Sequence, residues 1–206
     1  AFQGGRVFSA DYFGKVLVWT IEGDHPEPLQ VLDAHQGFCR ALAVSPDGGL
    51  LATCGNDLCV RLWHTRDLSL ARTLRGHESH VYNLAFHPAG LHLVSGDLRG
   101  VLRQWNLDTG GLTRTMDCSL LHRYDPTFRA DHGGIRALTF HARGTLLACA
   151  GITNVTNAFA GIGNPAVVLF DWRNGSRVEV LRPQAAFQGT MWGVVSHGAG
   201  FFAGAA

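Results

Sequence analysis

His35, Thr53 and Asp57 are the residue types of a nucleophile, base and orienter: a hydroxyl to attack, an imidazole to take its proton, a carboxylate to hold the ring. His77 and Ser95 repeat the first two at the same separation of 18 residues. Catalysis needs one such site, whereas a scaffold needs one pin per repeated unit, so recurrence at a fixed phase assigns these side chains to structure. No catalytic residue is expected. Eleven histidines suggest a metal, yet His87, His141 and His197 recur at repeat positions and His132 falls one residue out of phase. Only His77 and His80 lie close together, and His77 already belongs to the repeat, so no metal site is expected. Gly161, Gly163 and Ala166 match the GxGxxA dinucleotide fingerprint, but Pro165 leads into a strand instead of a helix N-terminus. No cofactor is expected.

The elements that position these residues come from a repeat. Residues 9–20 (SADYFGKVLVWT) fall without a gap on 95–106 (SGDLRGVLRQWN), matching Ser9 with Ser95, Asp11 with Asp97, Gly14 with Gly100 and Trp19 with Trp105. A third copy, TCGNDLCVRLWH, lies between them at 53–64. Trp19 to Trp63 is 44 residues, while Trp63 to Trp105 and His35 to His77 are each 42. Each unit reads as four short strands joined by turns: 38–44, 50–54, 60–63 and 70–74, then 81–86, 91–95, 101–105 and 112–116. Apolar spacing of three and four never persists, so essentially no helix is predicted. The 26 glycines, about 13% of the chain against a usual ~7%, fit a chain of many tight turns. Four-stranded units of this length cannot bury both faces alone, and stack radially as propeller blades.

Gly76-His77, the 28 residues from His77 to Trp105, the turn His87-Pro88-Ala89-Gly90 and the tryptophan closing the third strand resemble the WD-repeat propeller, whose hallmark is GH…WD. Ala34-His35 to Trp63 shows the same 28-residue spacing. The resemblance covers practically the whole chain. It implies an all-β propeller of four-stranded antiparallel blades, about four blade equivalents forming a partial ring. The units run approximately over 1–33, 34–75, 76–130, 131–182 and 183–206, one propeller region that is expected to be incomplete because the second strand is supplied at both ends. The resemblance also implies a hydrogen-bonded tetrad, His35, Thr53, Asp57 and Trp63. The next unit has His77, Ser95 and Trp105 but Arg99 where Asp57 stands; the third has Cys149, Phe170 and the displaced His132. Blade rigidity is expected to fall in that order.

Two insertions break the period. About 12 extra residues lie between Met116 and Ile135, and about 11 within Gly151–Pro165. The loop entering a first strand and the loop joining second to third strand share one face, so 117–131 and 152–165 are expected to be neighbours on the face where binding surfaces are built. The first insertion offers Leu121, Tyr124 and Phe128 beside arginines, a composition common in interaction hot spots. The starts of the inner strands carry Arg40, Tyr82, Arg136 and Trp192 at equivalent positions on the same face.

Seventeen basic against 16 acidic side chains leave a net charge of +1, which gathers neither nucleic acid nor an anionic membrane. Five cysteines without a CxxC pair read as free thiols of a reducing compartment; localisation stays open, with the cytoplasm favoured. The expected function is a non-catalytic interaction scaffold that docks other proteins or peptides on its loop face, with missing blades of its own chain as a further possible partner. Two alternatives remain: a propeller enzyme or small-ligand sensor with a site in the central channel, and a regulatory appendage of a larger multidomain protein.

Overall fold

A computed structural model describes residues 1–23, 27–157, 162–184, 188–198 and 200–205. Every regular element among them is a strand except one 3₁₀ turn, Ser119–Leu121. The first sheet orders β1 (Phe2–Gln3), β2 (Arg6–Ala10), β3 (Lys15–Thr20) and β4 (Pro28–Asp33). The second has β5 (Cys39–Val44), β6 (Leu50–Gly55), β7 (Val60–His64) and β8 (Leu70–Leu74). The third has β9 (Val81–Phe86), β10 (His92–Asp97), β11 (Val101–Asn106) and β12 (Leu112–Asp117). A separate hairpin, β13 (His122–Asp125) and β14 (Ala130–Gly133), precedes the fourth sheet of β15 (Ala137–Phe140), β16 (Leu146–Asn157), β17 (Ile162–Asp171) and β18 (Arg177–Leu181). Two further strands, β19 (Gly193–His197) and β20 (Phe201–Ala205), pair by themselves.

All neighbours pair antiparallel, so these are the meandering blades that the repeat predicts. Two details differ from the sequence reading. The chain opening contains a two-residue first strand, Phe2–Gln3, before the second strand. The two insertions, read as loops, are largely strand: β13–β14 from the first, and a lengthening of β16 and β17 by the second. Residues 158–161, at the tip of that second insertion and including Gly161, lie outside the described residues. Gly163 to Ala166 are within β17, where no helix N-terminus exists to hold a pyrophosphate.

The core lies between blades. Phe8, Val16 and Val18 of the first pack with Cys39, Leu51 and Trp63 of the second. Leu62 and Leu74 meet Val81, Leu84 and Leu93 of the third. Val94, Leu102 and Met116 meet Leu138, Leu147 and Phe170 of the fourth, and Ala148 and Val167 meet Val194. Each cluster joins consecutive sheets and none joins the last to the first, so the described blades form an open arc.

Arginines clamp neighbouring blades at their outer strands. Arg72 donates to the carbonyls of Thr109 and Asp108 at 2.9 and 3.0 Å, and Arg114, 42 residues on, donates to those of Trp172 and Arg173 at 2.8 and 3.2 Å. The fourth blade carries Glu179 at this register position, and a carboxylate cannot donate. Close approach also fixes a glycine: at Gly100, with φ +78°, a Cβ would stand 2.5 Å from the Cys118 carbonyl oxygen.

Candidate functional site

The triad-like residues are joined as a buried chain of hydrogen bonds. In the second blade Trp63 Nε1 donates to Thr53 Oγ1 at 3.0 Å, Thr53 lies 2.8 Å from His35 Nε2, and His35 Nδ1 lies 2.8 Å from Asp57 Oδ1. The third blade repeats it: Trp105 to Ser95 at 2.8 Å, Ser95 to His77 at 2.7 Å, His77 to Asp97 at 2.8 Å. With the ring proton held on Nδ1 by the carboxylate, the hydroxyl donates to Nε2 and accepts from the indole, so every group is satisfied. A hydroxyl so placed is spoken for inside the blade.

The third blade corrects the sequence reading. Its acid is Asp97 at the end of β10, and Arg99 is not the occupant of an empty position but part of the turn. Asp97 Oδ1 also accepts the backbone N–H groups of Arg99 and Val101, both at 3.0 Å. The tetrad is therefore complete in two blades, and the expected fall in rigidity from the second to the third loses its basis. In the first blade Trp19 donates to Ser9 at 2.8 Å. The fourth blade lacks the chain: fully buried Cys149 and Phe170 replace hydroxyl and indole, and His132 Nε2, on the insertion hairpin, is buried without a hydrogen-bond partner.

Burial pushes the pKa of His35 below its ordinary value of 6.5, although Asp57 pulls the other way. Folding thus favours the neutral ring. The unfolded chain binds more protons as pH falls below 6.5, so stability present at neutral pH is lost as pH falls from there toward the folded value. His87 is displaced in the same direction, also by burial. A melting temperature lower at pH 5 than at pH 7.5 is expected, with the drop reduced in His35→Gln; an undiminished drop would remove His35 as the cause.

The inner-strand residues are brought together as a ladder. The guanidinium of Arg40 lies 4.6 Å from the centre of the Tyr82 ring, and that of Arg136 4.7 Å from the same ring and 5.1 Å from the Trp192 ring. Arg40 also lies 4.8 Å from Phe38, whose ring is 4.6 Å from that of Tyr12. Tyr12, Phe38, Arg40, Tyr82, Arg136 and Trp192 thus follow one another around the inner rim across the four blades and the β19–β20 pair, each contact within cation–π or ring-stacking range. Tyr12 and Trp192 are mostly exposed, at 72% and 62%. Arg40, Tyr82, Asn83, Arg136 and Trp192 line one cleft, which runs on to a second lined by Asp11, Tyr12 and Arg40. Sequence reasoning missed Tyr12 and Phe38.

The insertion hairpin lies on the same face. Arg123 donates to the Val155 carbonyl, tying the first insertion to the second. His122 Nε2 lies 2.7 Å from Asp131 Oδ1, and Arg99 reaches the other carboxylate oxygen at 3.4 Å. Burial raises the Asp131 pKa, but the hydrogen bond to His122 and the charge of Arg99 more than offset it and hold the carboxyl below its usual range. At the tip, Asp125 accepts the N–H groups of Thr127 and Phe128, which turns Tyr124 and Phe128 outward at 52% and 56% exposure. Leu121 is different. Its 3₁₀ turn aims it into the core beside Ile135, at 0% exposure, so it cannot touch a partner and is removed from the docking set. All five cysteines are free and buried; burial pushes the Cys39 thiol up to about 12 and those of Cys54 and Cys149 well above the usual range. Among the described residues no three His, Cys, Asp or Glu side chains stand close enough to hold a metal ion.

Antiparallel four-stranded blades with buried Trp–Ser/Thr–His–Asp pins define a β-propeller repeat protein. Residues 26–64 and 68–106 each match the family described as WD domain, G-beta repeat, and the chain belongs to the WD-repeat family. It is 40% identical over 60 residues to Protein HIR1 of Mycosarcoma maydis, covering 29% of this chain and 6% of that protein. It is 30% identical over 153 residues to human Apoptotic protease-activating factor 1, covering 72% of this chain and 12% of that protein. Against Nuclear distribution protein nudF 2 of Talaromyces marneffei the identity is 33% over 112 residues, covering 52% and 25%. The chain therefore spans a quarter or less of the length of these curated relatives. WD-repeat proteins typically mediate protein–protein interaction and are generally non-catalytic.

Proposed function

We propose that this chain is a non-catalytic protein-interaction scaffold whose binding surface is the loop face of the arc, made by the rim ladder of Arg40, Tyr82, Arg136 and Trp192 and by Tyr124 and Phe128 on the insertion hairpin. The unbroken ladder supports this reading: the four blades and the β19–β20 pair each contribute an aromatic or arginine to one rim, and aromatic–arginine surfaces are where interface energy concentrates. The tetrads and inter-blade cores hold those contributions fixed, so little ordering cost attends binding.

The test is a triple variant, Tyr124→Ala, Phe128→Ala and Trp192→Ala. All three side chains are exposed, so its melting temperature should stay close to that of the unaltered chain. The immobilised unaltered chain should retain a set of proteins from a cell extract that the triple variant releases. Equal retention by both would sink the assignment of this face.

A further inference from the structure

We infer that the cleft between Arg40 and Arg136 is a carboxylate site, and that the scaffold proposed above takes there an extended acidic segment of a partner protein. The inference rests on that scaffold reading and specifies its ligand. Its ground is a charge imbalance. Among the described residues the ion pairs of lysine and arginine join Lys15 to Asp33, Arg61 to Asp57, Arg66 to Asp67 and Arg99 to Asp131, and none includes Arg40 or Arg136. Arg40 Nε donates to the neutral side chain of Asn56 at 2.8 Å. Arg136 Nε is buried and has no hydrogen-bond acceptor at all. Asp11, in the adjoining cleft, accepts the N–H groups of Phe13 and Lys15 on Oδ1 at 2.9 and 2.8 Å, and its carboxylate is not ion-paired with Arg40.

Two guanidiniums against one ring at a shared rim repel each other, and neither has an ion-pair partner among the described residues. Burial and the charge of Arg40 both weaken the hold of Arg136 on its proton, while Tyr82 strengthens it. An arrangement of this kind is completed by an anion from outside. With Arg40 Nε engaged by Asn56, Arg136 Nε buried and the Arg136 side chain hydrogen-bonded to the neutral Tyr82, it is the terminal nitrogens that face an incoming anion, and such a planar pair matches a carboxylate with two parallel hydrogen bonds. In an extended peptide, alternate side chains point the same way about 7 Å apart, so an acidic-x-acidic segment can present one carboxylate to each arginine. Trp192 at one end of the ladder and Tyr12 with Phe38 at the other offer ring faces to apolar residues flanking the acidic pair.

The probe is a fluorescein-labelled peptide, Gly-Leu-Asp-Ser-Asp-Leu-Gly, compared by fluorescence anisotropy with its Asn-for-Asp counterpart and with a form carrying phosphoserine at both acidic positions. The Asp peptide should bind at least tenfold more tightly than the Asn peptide. Its affinity should fall severalfold between 50 and 500 mM salt, as desolvated but rim-located charge pairs do. Arg40→Gln and Arg136→Gln should each weaken it by roughly tenfold or more, with far-ultraviolet circular dichroism and melting temperature close to those of the unaltered chain. An Arg136→Lys variant, which keeps the charge and loses the fork, should recover only part of the affinity. Equal binding of the Asp and Asn peptides would overturn the inference, as would binding confined to the phosphoserine form. Failure of the Asp peptide to bind, with the triple variant still releasing the proteins the unaltered chain retains, would overturn the carboxylate site and leave the scaffold reading standing.

Discussion

Asp97→Ala is expected to lower the unfolding free energy by about 3–5 kcal/mol, the scale of breaking a buried charge-assisted network from one side. Three hydrogen bonds end on this carboxylate: His77 Nδ1 at 2.8 Å and the backbone N–H groups of Arg99 and Val101 at 3.0 Å. The residue is 2% exposed, so water cannot replace them, and His77 at 6% is left with an unpaired ring N–H. The loss spreads to the turn that joins β10 to β11, because the same side chain closes it. Asp57 in the second blade is the comparison. It makes the same bond to its histidine, but its bonds to Cys59 and Gln36 are long, at 3.4 and 3.3 Å, and Arg61 at 2.6 Å stands in part-exposed surroundings. Asp57→Ala should therefore cost distinctly less. Urea midpoints of the two variants decide the matter, and equal losses would show that the turn bonds of Asp97 contribute nothing.

That pair also shows how far the sequence could be read. The shift that lays residues 9–20 on 95–106 already matches Asp11 with Asp97, and both carboxylates accept the two backbone N–H groups of the same turn. Counting back from the tryptophan of the second blade instead lands on Arg99, because Asp57 there reaches its histidine from two residues further along the turn. A carboxylate in this turn can approach Nδ1 from either position, as Asp57 and Asp97 do, so spacing alone does not separate them. The rim ladder was legible for a related reason: Arg40, Tyr82, Arg136 and Trp192 share a repeat phase, and phase fixes height in the blade. Phe38 lies two residues before Arg40 and could have been added by the alternation of side chains along a strand. Tyr12 is in a turn, where no such rule holds. The two insertions are neighbours, tied by Arg123 and Val155 as the repeat geometry implies, but both read as loops in the sequence, the first because HRYD and ADHG show no apolar alternation. The pairing of β13 with β14 comes from backbone hydrogen bonding, since the one buried residue of the two strands is Gly133.

The side chain that anchors this hairpin is Leu121, in the turn just before β13, and Leu121→Ala is expected to cost about 2–5 kcal/mol, the range for emptying a fully buried leucine site. Its neighbours cannot close the space. Ile135 and Cys149 belong to the core between the third and fourth blades, and a Cβ added to Gly151 would already stand 3.2 Å from Leu121 Cδ1. The Leu121 carbonyl accepts the N–H of Gly134 at 2.8 Å, so the backbone here is tied to the entry of β15 and cannot sink to fill a cavity. Tyr124 and Phe128, three and seven residues further on, should leave stability within about 0.5 kcal/mol when cut to alanine, because their rings face solvent. Composition could not make this division: all three are apolar residues in one insertion, and only the inward 3₁₀ turn separates the first from the others. The expected result is a crossed pattern, in which Leu121→Ala shifts the urea midpoint and Tyr124→Ala with Phe128→Ala shifts partner retention. A Leu121→Ala variant that unfolds with the unaltered chain yet releases the partner would return Leu121 to the docking surface. The crossed pattern would instead establish that the hairpin is anchored by one residue and presents the other two.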